Sequence, residues 1–391
     1  MLPARGRLGL HQQHTPLVRQ QQNRPGPGGG QPIRVLAVDD SKFFLGALRR
    51  ALSAIPNVRV VGTAANGREA IEAIVRLKPD LLTLDLEMPE MDGLETLKKI
   101  QLRKLDVRVV MVSAHTSAGA EKTLEALELG AEDFITKPSS SVSGDKVEYL
   151  KQQLNPVLAT FRKARPSSRP VQRVVSIQPQ APRRQARSAA RDIVLIAVST
   201  GGPRALSEFM KTVPPTFAGT ILIAQHMPAL FTQTLAERLD RLTHLKVTEG
   251  VNGEPVLPGR VYVAPGGFHM EVTSDKGSSV LKVHDGPRLH GCRPAADHLF
   301  RSAAELYGAR CQGIVMTGMG NDGTDGARLV NEAGGLCYGQ DEATCAVFGM
   351  PKTAYESGVI EQLLPLAQLA PHMAGNALGN SALGIRRERK F

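Results

Sequence analysis

The sequence predicts two α/β units in tandem, each a sheet of parallel strands wound by helices on both faces. Short apolar runs alternate with amphipathic stretches from Ile33 onward, and the alternation starts again at Ile193. Between the two series, residues 165–191 are rich in Pro, Arg, Gln and Ser, with Pro166, Pro170, Pro179 and Pro182 opposing regular structure. A chain of 391 residues also exceeds one ordinary core and fits two domains with connecting segments.

Residues 1–32 are dominated by Gln, Pro and Gly, have little apolar surface to bury, and are expected to form a disordered tail. The first unit, 33–164, takes five strands from the apolar runs 33–38, 58–64, 80–84, 107–112 and 131–135, with helices between them and a last helix over 146–163. After the linker 165–191, the second unit, 192–375, takes strands near 193–198, 219–225, 260–264 and 312–317 and helices near 203–212, 230–242 and 295–307. Residues 267–283 read instead as a hairpin, because 273–278 is a polar turn between two alternating runs, so this unit is mixed α/β. Residues 376–391 are assigned to a C-terminal tail.

Composition narrows the function. The longest apolar stretches, 193–198 and 220–224, are strand-sized, which excludes a membrane-inserted role, and the N-terminus lacks the apolar segment of a secretory signal, so a cytoplasmic protein is expected. The net charge of +11 sits in the tails: residues 1–33 and 162–191 hold thirteen Arg or Lys and no acid, leaving about −2 for the remainder. No basic face is left for nucleic acid, and a helix-turn-helix output with a basic recognition helix is not found. Cys292, Cys311, Cys337 and Cys345 form no CxxC pair and read as reduced thiols.

In an open parallel sheet, ligands bind beyond the carboxyl ends of the strands. In the first unit these ends carry Asp39 and Asp40, then Asp85, Ser113 and Lys137. Three clustered carboxylates repel one another and call for a cation, and an all-oxygen donor set with room for water suits Mg²⁺. Asp85 is placed to form an acyl phosphate, Lys137 to pair with its oxygens, and Ser113 to bond and sense the new group. The stretches Val38-Asp39-Asp40-Ser41, Leu84-Asp85-Leu86-Glu87-Met88-Pro89 with Met91-Asp92-Gly93, and Thr136-Lys137-Pro138 resemble a response-regulator receiver over residues 33–137. That resemblance implies a flavodoxin-like fold, phosphorylation of Asp85 from a histidine kinase, and Mg²⁺ held by Asp39, Asp40 and Asp85 with the backbone carbonyl of Glu87.

The strand ends of the second unit carry different groups. Ser199 precedes Thr200-Gly201-Gly202-Pro203, His226 follows the next strand, and Asp322 lies in the turn after the strand at 312–317. A serine hydroxyl needs an imidazole to take its proton, and the imidazole needs a carboxylate to fix its tautomer, so Ser199, His226 and Asp322 fit a catalytic triad. Their chain order differs from that of α/β-hydrolases, and Ala197 stands where a GxSxG elbow has its first glycine. The Gly318 to Gly320 turn offers the Met319 N–H to an oxyanion, with Thr200 as a second contributor.

The combination resembles the catalytic domain of chemotaxis protein-glutamate methylesterases. It rests on Ser199-Thr200-Gly201-Gly202-Pro203, Gln225-His226-Met227-Pro228, Val263 to His269, Cys292-Arg293-Pro294, Met316 to Gly323, Gln340-Asp341-Glu342 and Val347 to Pro351. The resemblance implies attack of Ser199 on the γ-methyl ester of a glutamate in a methyl-accepting chemoreceptor, release of methanol, deamidation of glutamine by the same acyl route, and no cofactor for the esterase. Two other sites were weighed. His290, Cys292, Asp297 and His298 are metal-ligating types without a familiar spacing. Gly201-Gly202 opens a helix as phosphate sites do, but no Walker lysine or GxGxxG accompanies it.

Overall fold

The computed structural model describes residues 31–138, 145–162 and 191–377. Almost all of the tails and of the linker named above lie outside the described residues.

The N-terminal unit runs β1 (Ile33–Val38), α1 (Lys42–Ser53), β2 (Val58–Ala64), α2 (Gly67–Leu77), β3 (Leu81–Asp85), α3 (Gly93–Leu102), β4 (Arg108–Ser113), α4 (Ser117–Glu128), β5 (Asp133–Thr136) and α5 (Lys146–Arg162). Four helices start on short polar caps: Ser41, Asn66, Asp92 and Thr116 each accept a backbone N–H of the first turn. All strands pair in parallel in the order β2-β1-β3-β4-β5. The strand order reverses between β1 and β3, the point at which such sheets open a crevice, and Asp39 and Asp85 stand there. One face is closed by α1 and α5 through Leu48, Leu52, Leu150 and Leu154, the other by α2, α3 and α4 through Ile71, Leu97 and Leu124.

The C-terminal unit runs β6 (Ile193–Val198), α6 (Gly202–Lys211), β7 (Thr220–Gln225), α7 (Phe231–Asp240), β8 (Lys246–Glu249), β9 (Arg260–Val263), β10 (His269–Asp275), β11 (Ser278–His284), α8 (Ala296–Tyr307), β12 (Cys311–Val315), α9 (Thr324–Glu332), β13 (Leu336–Gln340), α10 (Met350–Glu356), β14 (Gln362–Leu364) and α11 (Leu366–Ala377). Seven strands form a wholly parallel sheet in the order β14-β13-β12-β6-β7-β9-β8, and the expected hairpin stands apart as the antiparallel pair β10-β11. Strands β6 and β7 are buried along their whole length, as parallel strands covered on both faces must be. Leu206, Phe209, Leu235 and Leu369 pack on one face, and Leu299, Phe300, Val330 and Leu281 on the other. Burying each such side chain contributes about 1.5–3 kcal/mol before the entropy of ordering the chain is counted.

The two units touch. Helix α4 packs against α6 and α7. The Phe134 ring stacks on Phe231 with centroids 4.6 Å apart, and Arg238 Nε donates to Glu128 Oε1 at 2.6 Å.

Candidate active site and phosphoacceptor pocket

The central strand β6 has β7 on one side and β12 on the other, and register pairs Val198 with Gln225 and Ala197 with Val315. Ser199, His226 and the turn bearing Asp322 therefore leave three adjacent strands at the same end of the sheet. The close approach is bought with small residues at two places. A Cβ on Gly318 would lie 2.7 Å from Ser199 Cβ, and one on Gly202 would lie 1.9 Å from Gln225 Oε1.

Asp322 is buried, yet its oxygens are fully engaged. Oδ2 accepts from Ala296 N at 2.6 Å and contacts His226 Nε2 at 2.7 Å, while Oδ1 accepts from Asp297 N and Gly323 N, each at 3.0 Å. The carboxylate thus caps the N-terminus of α8, where the helix dipole favours negative charge. Burial works to raise its pKa, but the hydrogen bonds and the His226 charge outweigh it and hold it below the usual range. His226 shows the converse: burial lowers its pKa, and the hydrogen bonds to Asp322 and Cys292 overcome that and raise it.

With Nε2 committed to Asp322, the nitrogen free to act as a base is Nδ1. It faces Cys292 Sγ at 3.5 Å, and no hydrogen bond joins it to Ser199 Oγ among the described residues. The structure brings His226 and Asp322 into direct contact and places Ser199 at the end of the neighbouring strand, without a hydrogen bond from its hydroxyl to the imidazole among the described residues.

Sequence reasoning gave no role to several residues that hold this geometry. Gln225 Nε2 donates to both Ser199 O at 3.0 Å and His226 O at 3.1 Å. Thr317 accepts Ser199 N on its carbonyl at 3.0 Å and donates its hydroxyl to Thr200 O, also at 3.0 Å. Both follow the apolar runs of buried strands, and a polar residue in that position is the signal that could have found them. Met319, the oxyanion candidate, is 40 % exposed in the turn beside Ser199. Of the four metal-ligating types weighed above, His290 bonds Asp297 at 2.8 Å, Cys292 faces His226, and His298 turns to Glu271, so they do not converge.

In the first unit, Asp39, Asp40 and Asp85 bring carboxylate oxygens within 4.8 Å of one another. Lys137 Nζ lies 2.8 Å from both Asp39 Oδ2 and Asp85 Oδ2; the contact to Asp39 is an ion pair without hydrogen-bond alignment. Burial, and next the Asp39 charge, push the Asp85 carboxyl up to about 6 against the pull of Lys137. Two buried carboxylates and the exposed Asp40 crowded together in this way fit a divalent cation. The Glu87 side chain points to Lys122 Nζ at 3.3 Å. Ser113 Oγ bonds Thr123 Oγ1 at 2.8 Å and Gly119 O at 3.2 Å, so it is turned into the first turns of α4 rather than toward Asp85.

The contact between the units runs beside the turn that carries Ser199. A cavity of about 270 Å³ lies between the units, lined by Arg108, Glu132 and Asp133 on one side and Thr200, Gly201 and Arg204 on the other. Asp133 faces this cavity opposite Thr200, the residue after Ser199, and burial pushes its carboxyl up to about 6. Among the described residues, no helix is long and apolar enough to cross a membrane.

Fold and site together define a two-domain response regulator, a receiver joined to an output domain of hydrolase type. Residues 35–144 match the response regulator receiver domain and residues 194–373 match the CheB methylesterase model. The chain belongs to the protein-glutamate methylesterase/protein-glutamine glutaminase family: it is 42 % identical over 354 residues to the member from Pyrococcus abyssi, covering 88 % of this chain and 93 % of the relative. The second such protein of Caulobacter vibrioides is 42 % identical over 88 % of this chain and 99 % of its own. A crystal structure of the Thermotoga maritima CheB methylesterase catalytic domain is 39 % identical, with a TM-score of 0.46 over 48 % of this chain and 98 % of that chain.

Proposed function

We propose that the chain hydrolyses γ-methyl esters of glutamate on chemoreceptors under control of receiver phosphorylation, with glutamine deamidation by the same route. The observation that supports this most is His226 clamped by Asp322 through Nε2, at the end of the strand next to the one that presents Ser199. Ser199 Oγ attacks the ester carbonyl as Nδ1 takes its proton; the tetrahedral oxyanion faces the Met319 N–H and the Thr200 turn. Collapse breaks the C–O bond, His226 returns the proton to the leaving methoxide, and methanol departs. Water then repeats the sequence on the acyl-enzyme, giving glutamate and free serine. With glutamine the leaving group is ammonia.

The receiver would take its phosphoryl group on Asp85 from a histidine kinase. Mg²⁺ held by Asp39, Asp40, Asp85 and the Glu87 carbonyl would neutralise charge on the phosphoryl oxygens. Lys137 pairs with the modified carboxylate, and Ser113 would leave its Thr123 and Gly119 bonds to meet it, which loosens the start of α4. Because α4 contacts the esterase beside Thr200, this shifts the population from a covered to an open cleft. A cytoplasmic location follows from these partners.

The test is methanol release from methylated receptor, with and without a phosphodonor. Ser199→Ala is expected to lose activity by at least about 10³-fold, and Asp85→Asn to keep basal activity but lose the response. Full activity in Ser199→Ala would refute the assignment.

A further inference from the structure

Outside the catalytic constellation, three metal-ligating side chains meet between the β10-β11 hairpin and α8. Glu271, His284 and His298 bring one ligand atom each within 4.8 Å of one another. Glu271 Oε1 lies 3.0 Å from His298 Nδ1 and 3.4 Å from His284 Nε2, while Lys282 holds Oε2 at 3.1 Å. Donors around a tetrahedral Zn²⁺, with bonds of about 2.0–2.2 Å, stand roughly 3.3–3.5 Å apart, so the spacing is close to what one ion requires.

The arrangement is built by the fold. Hairpin register sets His269 opposite His284 and Glu271 opposite Lys282, so Glu271 and the two histidines share one face of the ribbon. His298, in the first turn of α8, closes the third side. His269 is fully buried against both imidazoles, with centroids 4.2 Å from His298 and 5.4 Å from His284. Its own nitrogens are used by Pro287 O and Ala295 N, so it walls the cluster rather than joining it. His284 Nε2 is buried and has no hydrogen-bond partner among the described residues, as suits a metal-ligand atom.

We propose that Glu271 Oε1, His284 Nε2 and His298 Nδ1 form a binding site for one Zn²⁺, with the fourth position open to water. His284 Nδ1 accepts the Gly286 N–H at 3.2 Å in the metal-free chain, so its proton rests on Nε2. On metal binding that proton moves to Nδ1 and this long bond is given up. Any proton carried by His298 is released to solvent. The ion ties the hairpin to α8, whose first amides hold Asp322.

The experiment uses the full chain, free of tags, stripped with a chelator and kept in excess Mg²⁺ so that the receiver carboxylates are occupied. Zn²⁺ is titrated against a chromophoric chelator, and Co²⁺ is followed by its visible absorption. One equivalent of Zn²⁺ is expected, with Co²⁺ bands of four-coordinate nitrogen and oxygen ligation. Glu271→Gln and His298→Ala should each weaken uptake by at least about tenfold. Asp325→Asn, in the neighbouring cluster of His290, Asp297 and Asp325, should leave it intact. Thermal unfolding of the metal-free variants checks that they fold, and His298→Val replaces the alanine variant if it does not. No uptake by the wild type, or a full equivalent retained by both ligand variants, overturns the site.

Discussion

His226 presents its two ring nitrogens to different partners, and this asymmetry governs its chemistry. Asp322 takes Nε2, while Cys292 Sγ lies at 3.5 Å from Nδ1, the nitrogen proposed to accept the serine proton. The thiol helps hold the imidazole in its charged form, second to the Asp322 bond and against the effect of burial. Removing it by Cys292→Ala should therefore lower the His226 pKa. A base must be neutral to act, so the acid limb of the pH profile of kcat/KM should move to lower pH; a shift the other way would contradict the pairing. Asp322→Asn should reduce kcat on the order of 10⁴-fold, because an amide cannot both receive the α8 N–H groups and stabilise an imidazolium. Measuring kcat and KM separately distinguishes this from lost binding, since KM should change little.

Helix α4 is one element through which the two halves meet, since its first turns hold Ser113 and its last residue, Glu128, bonds Arg238 on α7. A half-exposed ion pair of this kind contributes about 0.2–1 kcal/mol, or roughly 1.4- to 5-fold in a closed–open equilibrium. Glu128→Arg should raise the basal, unphosphorylated esterase rate by no more than that, and adding Arg238→Glu should return it. An unchanged rate in the single variant would remove α4 from the control path. The strands that lead to these contacts were legible in the sequence because a doubly covered parallel strand must be a short continuous apolar run, as in β6 and β7. Strands β8, β13 and β14 were not, since Lys246–Glu249 is short and polar, Leu336–Gln340 contains a glycine, and Gln362–Leu364 has only three residues. The catalytic types were readable from their place after strands. The Cys292 contact was not, because a loop residue 66 positions away carries no periodic signal of where it will land.

At the scale of the whole molecule, Asp133 gives the contact between the two units a pH dependence. Burial lifts its carboxyl from an ordinary value of 3.8 to about 6, opposed first by the bond from the Phe134 N–H. A raised carboxyl pKa means that the covered form binds a proton the exposed form releases. Closure is therefore most stable below about 3.8, weakens as pH rises through the interval to about 6, and carries the whole penalty above it. Distance between dyes placed on the two units should increase from pH 5 to 7.5, and Asp133→Asn should flatten that change; equal slopes in both proteins would show that another group is responsible. Gln225 adds a last consequence. One carboxamide suspends the main-chain carbonyls of both the nucleophile and the base, so those two residues travel as a single body whatever the neighbouring domain does. Under the proposed control, a signal from the receiver would uncover this pair with its main chain already set, leaving only side-chain torsions to be arranged.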